Sequence, residues 1–282
     1  MMCLYPIELR NGNVVPCGRC VVCVDNYRKM WVIRMISELS YCDYSKFVTL
    51  TYDDSKVPDG GSLRHSDVQL WLKRLRKELS HHDIRIKYYM CGEYGEIGNR
   101  PHYHVLLYYY VKDKLSDDVD LGKMIVDKWG HGYVKVGTVT PRSIRYCINY
   151  MDKMRNTHKA KTVKPYQRMS KGVGRMYYDD NYDRMCSLGY ISHNGYKYDI
   201  PRYYKDRNDG YVKERLRERP MDDDYARRLV DICKDDLDRT IYNDLGDERN
   251  VDVVVKRKIY KAKADQMLCN KLKRRGMLGS IE

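Results

Sequence analysis

Two spacings of apolar residues alternate along the first half of the chain. Over residues 24–39 they return at helical intervals, with Trp31, Met35 and Leu39 on one side. Residues 46–52, "KFVTLTY", are β-branched and aromatic and predict a buried strand. A loop, "DDSKVPDGGS", leads into "SDVQLWLKRLRKELS", which predicts a helix. Ser66 and Asp67 read as its cap, while Val68, Trp71 or Leu72, Leu75 and Leu79 share one side. Lys73, Arg74, Arg76 and Lys77 fall on the other. Residues 84–94, "IRIKYYMCGEY", predict a second strand, "GEIGNR" a hairpin loop, and residues 101–110 a third strand. A helix near 117–128, a strand over 132–139 and a helix opened by Pro141 and Ser143 and running to about Met154 complete the series.

The order βαββαβα, with a hairpin in its middle, predicts an α+β fold of split βαβ type. That is an antiparallel sheet of about five strands with flanking helices. Residues 1–23 read as a cysteine-rich knuckle with a turn at "NGN". After residue 155 the pattern weakens. "SKGVGRMYYDDN" and "DIPRYYKDRNDG" read as loops and short strands, and residues 214–275 as a charged helical appendage. The expected organisation is a knuckle and helix over 1–40, a core over 41–160, a loop-rich extension over 161–205 and a charged, mostly helical region over 206–282.

Charge narrows the choice of partner. Fifty-three Lys and Arg against 39 Asp and Glu leave a formal charge of +14, which favours polyanions, nucleic acid first and an anionic membrane surface second. Residues 1–160 carry 25 basic and 18 acidic groups and residues 161–282 carry 28 and 21, so the excess belongs to the whole body rather than to a tail. Tyrosine occurs 28 times and phenylalanine once, and tyrosines can stack on unpaired bases. No apolar run approaches the ~18 residues of a membrane span, and "MMCLYPIELRNG" lacks the basic-then-apolar order of a secretory signal. The chain is therefore expected to stay where it is made.

Ten cysteines in a reducing compartment point to metal or burial rather than disulfides. Cys17, Cys20 and Cys23 form two overlapping C-x-x-C units, "CGRCVVC", with Cys3 upstream. These four either close a structural zinc site or remain free thiols.

In "RPHYHVLLYYY", alternation puts His102 and His104 on one face of a strand and Tyr103 on the other. Closing the hairpin over 95–100 pairs Tyr94 with Pro101 and hence Glu93 with His102, so the carboxylate joins the imidazoles. Glu96 is the competing carboxylate. Two imidazoles and one carboxylate suit a catalytic divalent ion, Mg²⁺, Mn²⁺ or Zn²⁺. In "RSIRYCINYMDKM", about 100° per residue puts Tyr146, Tyr150 and Lys153 on one stripe, away from Ile144, Cys147, Ile148 and Met151. Packing alone would bury the tyrosines. Two phenols and an ammonium on a polar stripe suit covalent chemistry on a phosphodiester.

"FVTLTY", "CGEYGEIGNRPHYHVLL" and "YCINYMDK" resemble, in that order, the three motifs of HUH-type rolling-circle replication initiators. The likeness is nearest to the initiators of small single-stranded DNA phages, the microviruses of the gokushovirus group. "VPCGRCVVC", "LTYDD", "SKGVGRMY" and "IPRYY" extend it over roughly residues 1–205. The middle residue of the histidine motif is Tyr103, where that family has an aliphatic.

The resemblance implies a DNA nicking and joining endonuclease. His102 and His104 would bind the divalent metal, with Mg²⁺ or Mn²⁺ the expected occupant. Tyr146 and Tyr150 would attack in turn, leaving a 5′-phosphotyrosine link and a free 3′-hydroxyl for the host polymerase. Origin and single-stranded DNA are the implied substrates, with host helicase, polymerase and single-strand-binding protein as partners in the bacterial cytoplasm. A non-catalytic zinc-knuckle nucleic-acid-binding protein is the alternative from another class, and a relaxase or single-strand transposase the alternative within the superfamily.

Overall fold

The computed structural model describes residues 5–12, 14–95, 98–112, 115, 119–156 and 163–207, without the side chains of 21–22 and 150–156. In chain order the elements are β1 (Ile7–Glu8), β2 (Val14–Val15), α1 (Val21–Leu39), β3 (Tyr44–Thr51), α2 (His65–Ser80), β4 (Ile84–Tyr94) and β5 (Pro101–Val111). There follow α3 (Leu121–Asp127), β6 (Val134–Gly137), α4 (Pro141–Asn156), β7 (Tyr166–Met169), α5 (Arg175–Leu188), β8 (Tyr190–His193), β9 (Tyr196–Asp199) and α6 (Arg202–Lys205). The chain divides into two units, Met1–Lys29 with Lys205–Glu282, and Met30–Tyr204. The appendage read over 214–275 lies outside the described residues.

The second unit is built on a five-stranded antiparallel sheet in the order β6-β3-β5-β4-β7. The β4–β5 hairpin has the register read from the sequence, Tyr94 opposite Pro101 and Glu93 opposite His102. Alternation then sorts the side chains. Tyr103, Val105, Leu107 and Tyr109 of β5 join Val68, Trp71, Leu75 and Leu79 of α2 and Ile125 of α3 in one core. Burying each such side chain contributes about 1.5–3 kcal/mol. The buried tryptophans keep their N–H groups satisfied: Trp71 Nε1 donates to the Ile125 carbonyl and Trp129 Nε1 to that of Thr51, each at 3.1 Å. The opposite face carries His102, His104 and Leu106 and lies under α4, which touches β4, β5 and β7.

Three readings change. The helix expected to be capped by Ser66 and Asp67 starts at His65 after an Arg64 that makes no side-chain cap. Asp67 is instead buried and accepts a 2.8 Å hydrogen bond from the Tyr52 hydroxyl, since a buried phenol needs a partner more than an exposed helix end does. The helix expected near 117–128 begins at Leu121, where the Asp120 carboxylate accepts from the backbone N–H groups of Gly122 and Lys123. "SKGVGRMYYDDN", expected as loop and short strand, opens the 14-residue helix α5.

The turn before α5 is fixed from afar. Glu38, 1% exposed on α1, pairs with Lys87 of β4 at 2.7 Å and accepts from the Tyr110 hydroxyl and the Gly174 backbone N–H. Arg34, held between the rings of Trp31 and Tyr203, donates to the Val173 carbonyl at 3.0 Å. Gly174 has φ +79°, and a Cβ there would collide with the Tyr204 hydroxyl, which itself donates to the Gly174 carbonyl. Glu38→Ala leaves the Lys87 ammonium with only the Gly172 carbonyl and removes the acceptor of two other donors, and is expected to cost about 3 kcal/mol. A fall of the urea midpoint measures it, with Glu38→Gln losing less.

Candidate functional site

His102 and His104 occupy alternate positions of β5, so their imidazoles rise from one face while Tyr103 is buried in the opposite core. Glu93 lies across from His102 on β4 and is 4% exposed. Its Oε1 sits 2.7 Å from His102 Nε2 and 3.0 Å from His104 Nε2. The rings stand nearly perpendicular, at 85°, with centroids 5.0 Å apart. One donor atom from each of the three residues falls within 4.8 Å of the others.

The outer nitrogens set which atoms face inward. His102 Nδ1 lies 3.1 Å from the Arg100 carbonyl, which can only accept, so Nδ1 carries the proton. His104 Nδ1 lies 3.0 Å from the Thr49 hydroxyl on β3. With Nδ1 anchored outward on both rings, both Nε2 atoms are presented to the same point beside Glu93. Burial works against a charged Glu93, but hydrogen bonds and the field of the two imidazoles hold its carboxyl below the usual value. Burial also dominates at His104 and pushes the imidazole below its ordinary range, despite the Glu93 partner. A metal ion at this point would replace the Nε2 protons that bond Glu93, leaving an anionic carboxylate and neutral imidazoles as its ligands. Glu93 Oε2 is buried and, among the described residues, has no hydrogen-bond partner, so a cation at this point would satisfy it. The three residues fit a divalent ion. Glu96, the competing carboxylate, lies outside the described residues.

Tyr146 comes to this cluster from α4. The helix opens at Thr140 and Ser143, which exchange reciprocal hydrogen bonds (Thr140 N–H to Ser143 Oγ, 2.8 Å; Ser143 N–H to Thr140 Oγ1, 3.2 Å) around Pro141. Ile144, Cys147 and Ile148 are fully buried, whereas Tyr146 is 43% exposed. The Tyr146 ring meets that of His104 edge-on, with centroids 5.1 Å apart, and that of Phe47 at 6.2 Å. Phe47 in turn stacks on His104 at 5.8 Å. Tyr150 and Lys153 lie further along α4, but their side chains are outside the described residues. Thr49 and Phe47 were not singled out in the sequence. The alternation of "FVTLT" puts them on one face, but only the register, Thr49 opposite His104, shows that this face is the site.

In the first unit, Cys17, Cys20 and Cys23 gather within the same 4.8 Å limit and are free of disulfides. Cys17 Sγ lies 4.0 Å from Cys23 Sγ and faces the backbone N–H groups of Arg19 and Cys20 at 3.4 and 3.3 Å. Cys3 lies outside the described residues. Among the described residues no helix is long and apolar enough to cross a membrane.

Residues 45–155, which run from β3 through most of α4, match the family model of ORF2-type replication-associated proteins. The chain is 32% identical over 209 residues to replication-associated protein VP4 of Bdellovibrio phage phiMH2K, covering 68% of this chain and 66% of that one. It is 28% identical to replication-associated protein ORF2 of Spiroplasma virus 4, covering 87% and 85% respectively. Identity to replication-associated protein ORF4 of Chlamydia phage 1 is 25%, covering 78% and 60%. The chain thus spans just under two thirds of the length of the Bdellovibrio phage relative. No solved structure matches.

Proposed function

We propose that the chain, like the phage replication-associated proteins it is similar to, acts in replication, and that it initiates it by nicking single-stranded origin DNA through a tyrosine of α4. The observation that carries this reading is the meeting of Tyr146, from α4, with the Glu93–His102–His104 cluster built by β4 and β5. A nucleic-acid-binding knuckle alone gives no reason for an exposed phenol against an imidazole of this cluster.

Glu93, His102 and His104 would hold the divalent ion, Mg²⁺ or Mn²⁺ first. When bound, it supplies positive charge that polarises the phosphoryl oxygens of the scissile phosphate. The Tyr146 or Tyr150 hydroxyl gives up its proton to solvent and its oxygen forms a bond to phosphorus as the bond to the 3′-oxygen breaks. The DNA keeps its 5′-phosphate as a tyrosyl ester, and the departing 3′-oxygen takes up a proton to leave a hydroxyl for the host polymerase. Lys153 stabilises negative charge in this step. Attack by the 3′-hydroxyl on the ester reverses it and rejoins the strand. Two tyrosines on one helix allow a second cut before the first link is resolved, which favours a replication initiator over a relaxase or transposase. Host helicase and single-strand-binding protein are the partners this role requires. The three clustered thiols, with Cys3 as fourth donor, would hold a structural Zn²⁺.

Circular single-stranded phage-type DNA tests the proposal. The protein with Mn²⁺ is expected to linearise it, and a chelator to stop the reaction. Linearisation that persists in excess chelator would count against the metal-dependent step.

A further inference from the structure

The edge strand β6 continues the metal face of the sheet into the open. Val134 and Val136 pack into the α2/α3 core, so the residues between and before them project to the other side. Lys135 is opposite Thr49, which is opposite His104. The Tyr133 carbonyl accepts from the Thr51 N–H at 2.9 Å, extending the same register by one pair, and Thr51 is opposite His102. Tyr133, Thr51, His102 and Glu93 therefore form one row across four strands, and Lys135, Thr49 and His104 the neighbouring row. Two strand spacings put Tyr133 about 10 Å from His102 along the row.

Both side chains on this strip are exposed, Tyr133 at 66%. Contacts of α4 run mainly to β4, β5 and β7, on the far side of the site from β6. The Tyr133 hydroxyl helps, after Ser55, to hold the Asp53 carboxylate below its usual value, and the ring stays open to solvent. Gly132 holds the base of this arrangement: at φ +147°, a Cβ there would strike the backbone of Tyr52 and Asp53. A solvent-facing ring beside an ammonium suits a nucleotide with an unpaired base, the ring for the base and the charge for its phosphate.

We propose that Tyr133 and Lys135 form a single-stranded DNA subsite on β6, which takes a nucleotide flanking the scissile phosphate, the base on Tyr133 and the phosphate on Lys135. This rests on the reading of the chain as a nicking enzyme, whose metal site it adjoins.

Binding in chelator, with no cleavage, separates the two ideas. The probes are a fluorescent oligothymidine and an abasic strand of equal length, titrated with the full chain. Tyr133→Ala is expected to weaken oligothymidine binding roughly five- to a hundredfold and to leave the abasic strand unaffected. Tyr133→Phe, which keeps the ring and loses only the hydroxyl, is expected to bind within a fewfold of wild type. Lys135→Ala is expected to weaken both probes and to lower the salt slope by about 0.7. Wild-type binding to oligothymidine that Tyr133→Ala leaves unchanged, with an unaltered circular dichroism spectrum, would overturn the subsite alone. Equal loss on the two probes would overturn the stacking role. Wild type that binds neither probe would overturn the nicking reading as well.

Discussion

The double variant Tyr146→Phe/Tyr150→Phe is expected to form no covalent DNA adduct, while each single variant keeps part of the cleavage of a labelled origin oligonucleotide. Removing one oxygen leaves the ring in place, so the edge-on contact of residue 146 with His104 and its packing against Phe47 persist. Folding should hardly change, because Tyr146 is 43% exposed and the helix is anchored by Ile144, Cys147 and Ile148. The chemistry should change completely. Metal ligands and Lys153 can polarise a phosphate, but they do not replace the nucleophile, and loss of a nucleophile lowers rates on the order of 10⁴-fold or more. The two tyrosines are one helical turn and about 40° apart, which lets a modest shift of substrate exchange them. One single variant is expected to be more impaired than the other, measured as adduct per unit time on a denaturing gel.

His102→Ala/His104→Ala is expected to abolish cleavage and leave binding of single-stranded DNA largely intact. In the proposed mechanism binding draws on positive charge spread through the chain, with 53 basic against 39 acidic residues, whereas cleavage would need the ion. Mn²⁺ titration should show the lost site directly. Glu93→Gln keeps the size of the side chain and removes the charge that both imidazoles face, so Mn²⁺ affinity should fall as well. Thr49 acts one step further out, through His104 Nδ1. Thr49→Val removes that anchor and is expected to weaken Mn²⁺ binding about 10–100-fold. Thr49→Ser, which keeps the hydroxyl, should stay near wild type. Equal loss of DNA binding in the double histidine variant would make the pair a structural or DNA-contacting element instead.

Much of this site is legible in the sequence because a hairpin is local. The alternation in "RPHYHVLL" and the short loop before it fix the register, and the register alone brings Glu93 to His102. Tyr146 is legible for the opposite reason: it breaks the apolar pattern of its own helix, and the structure leaves it exposed. What sequence spacing does not carry is the partner of a strand or helix distant in the chain. Thr49 looks like an ordinary β-branched strand residue until β3 is laid beside β5. β7 is four residues long, too short for a period to show, yet it completes the sheet against β4. The turn ahead of α5 depends on Glu38 and Arg34, which lie 136 and 139 residues before the groups they hold, so local propensity gives only a glycine-rich loop. Asp67 is misread for a similar reason: a capping residue by position, it is taken by the buried hydroxyl of Tyr52.

The measurement closest to the central claim is the chemical identity of the protein–DNA link. The wild-type protein is incubated with circular single-stranded DNA and Mn²⁺, the adduct is digested with protease and nuclease, and the nucleotide-bearing peptide is sequenced by mass spectrometry. The expected result is a phosphotyrosyl ester at Tyr146 or Tyr150, absent when a chelator is present. A link mapped to any other residue, or cleavage that leaves a free 5′-phosphate and no link at all, would contradict it.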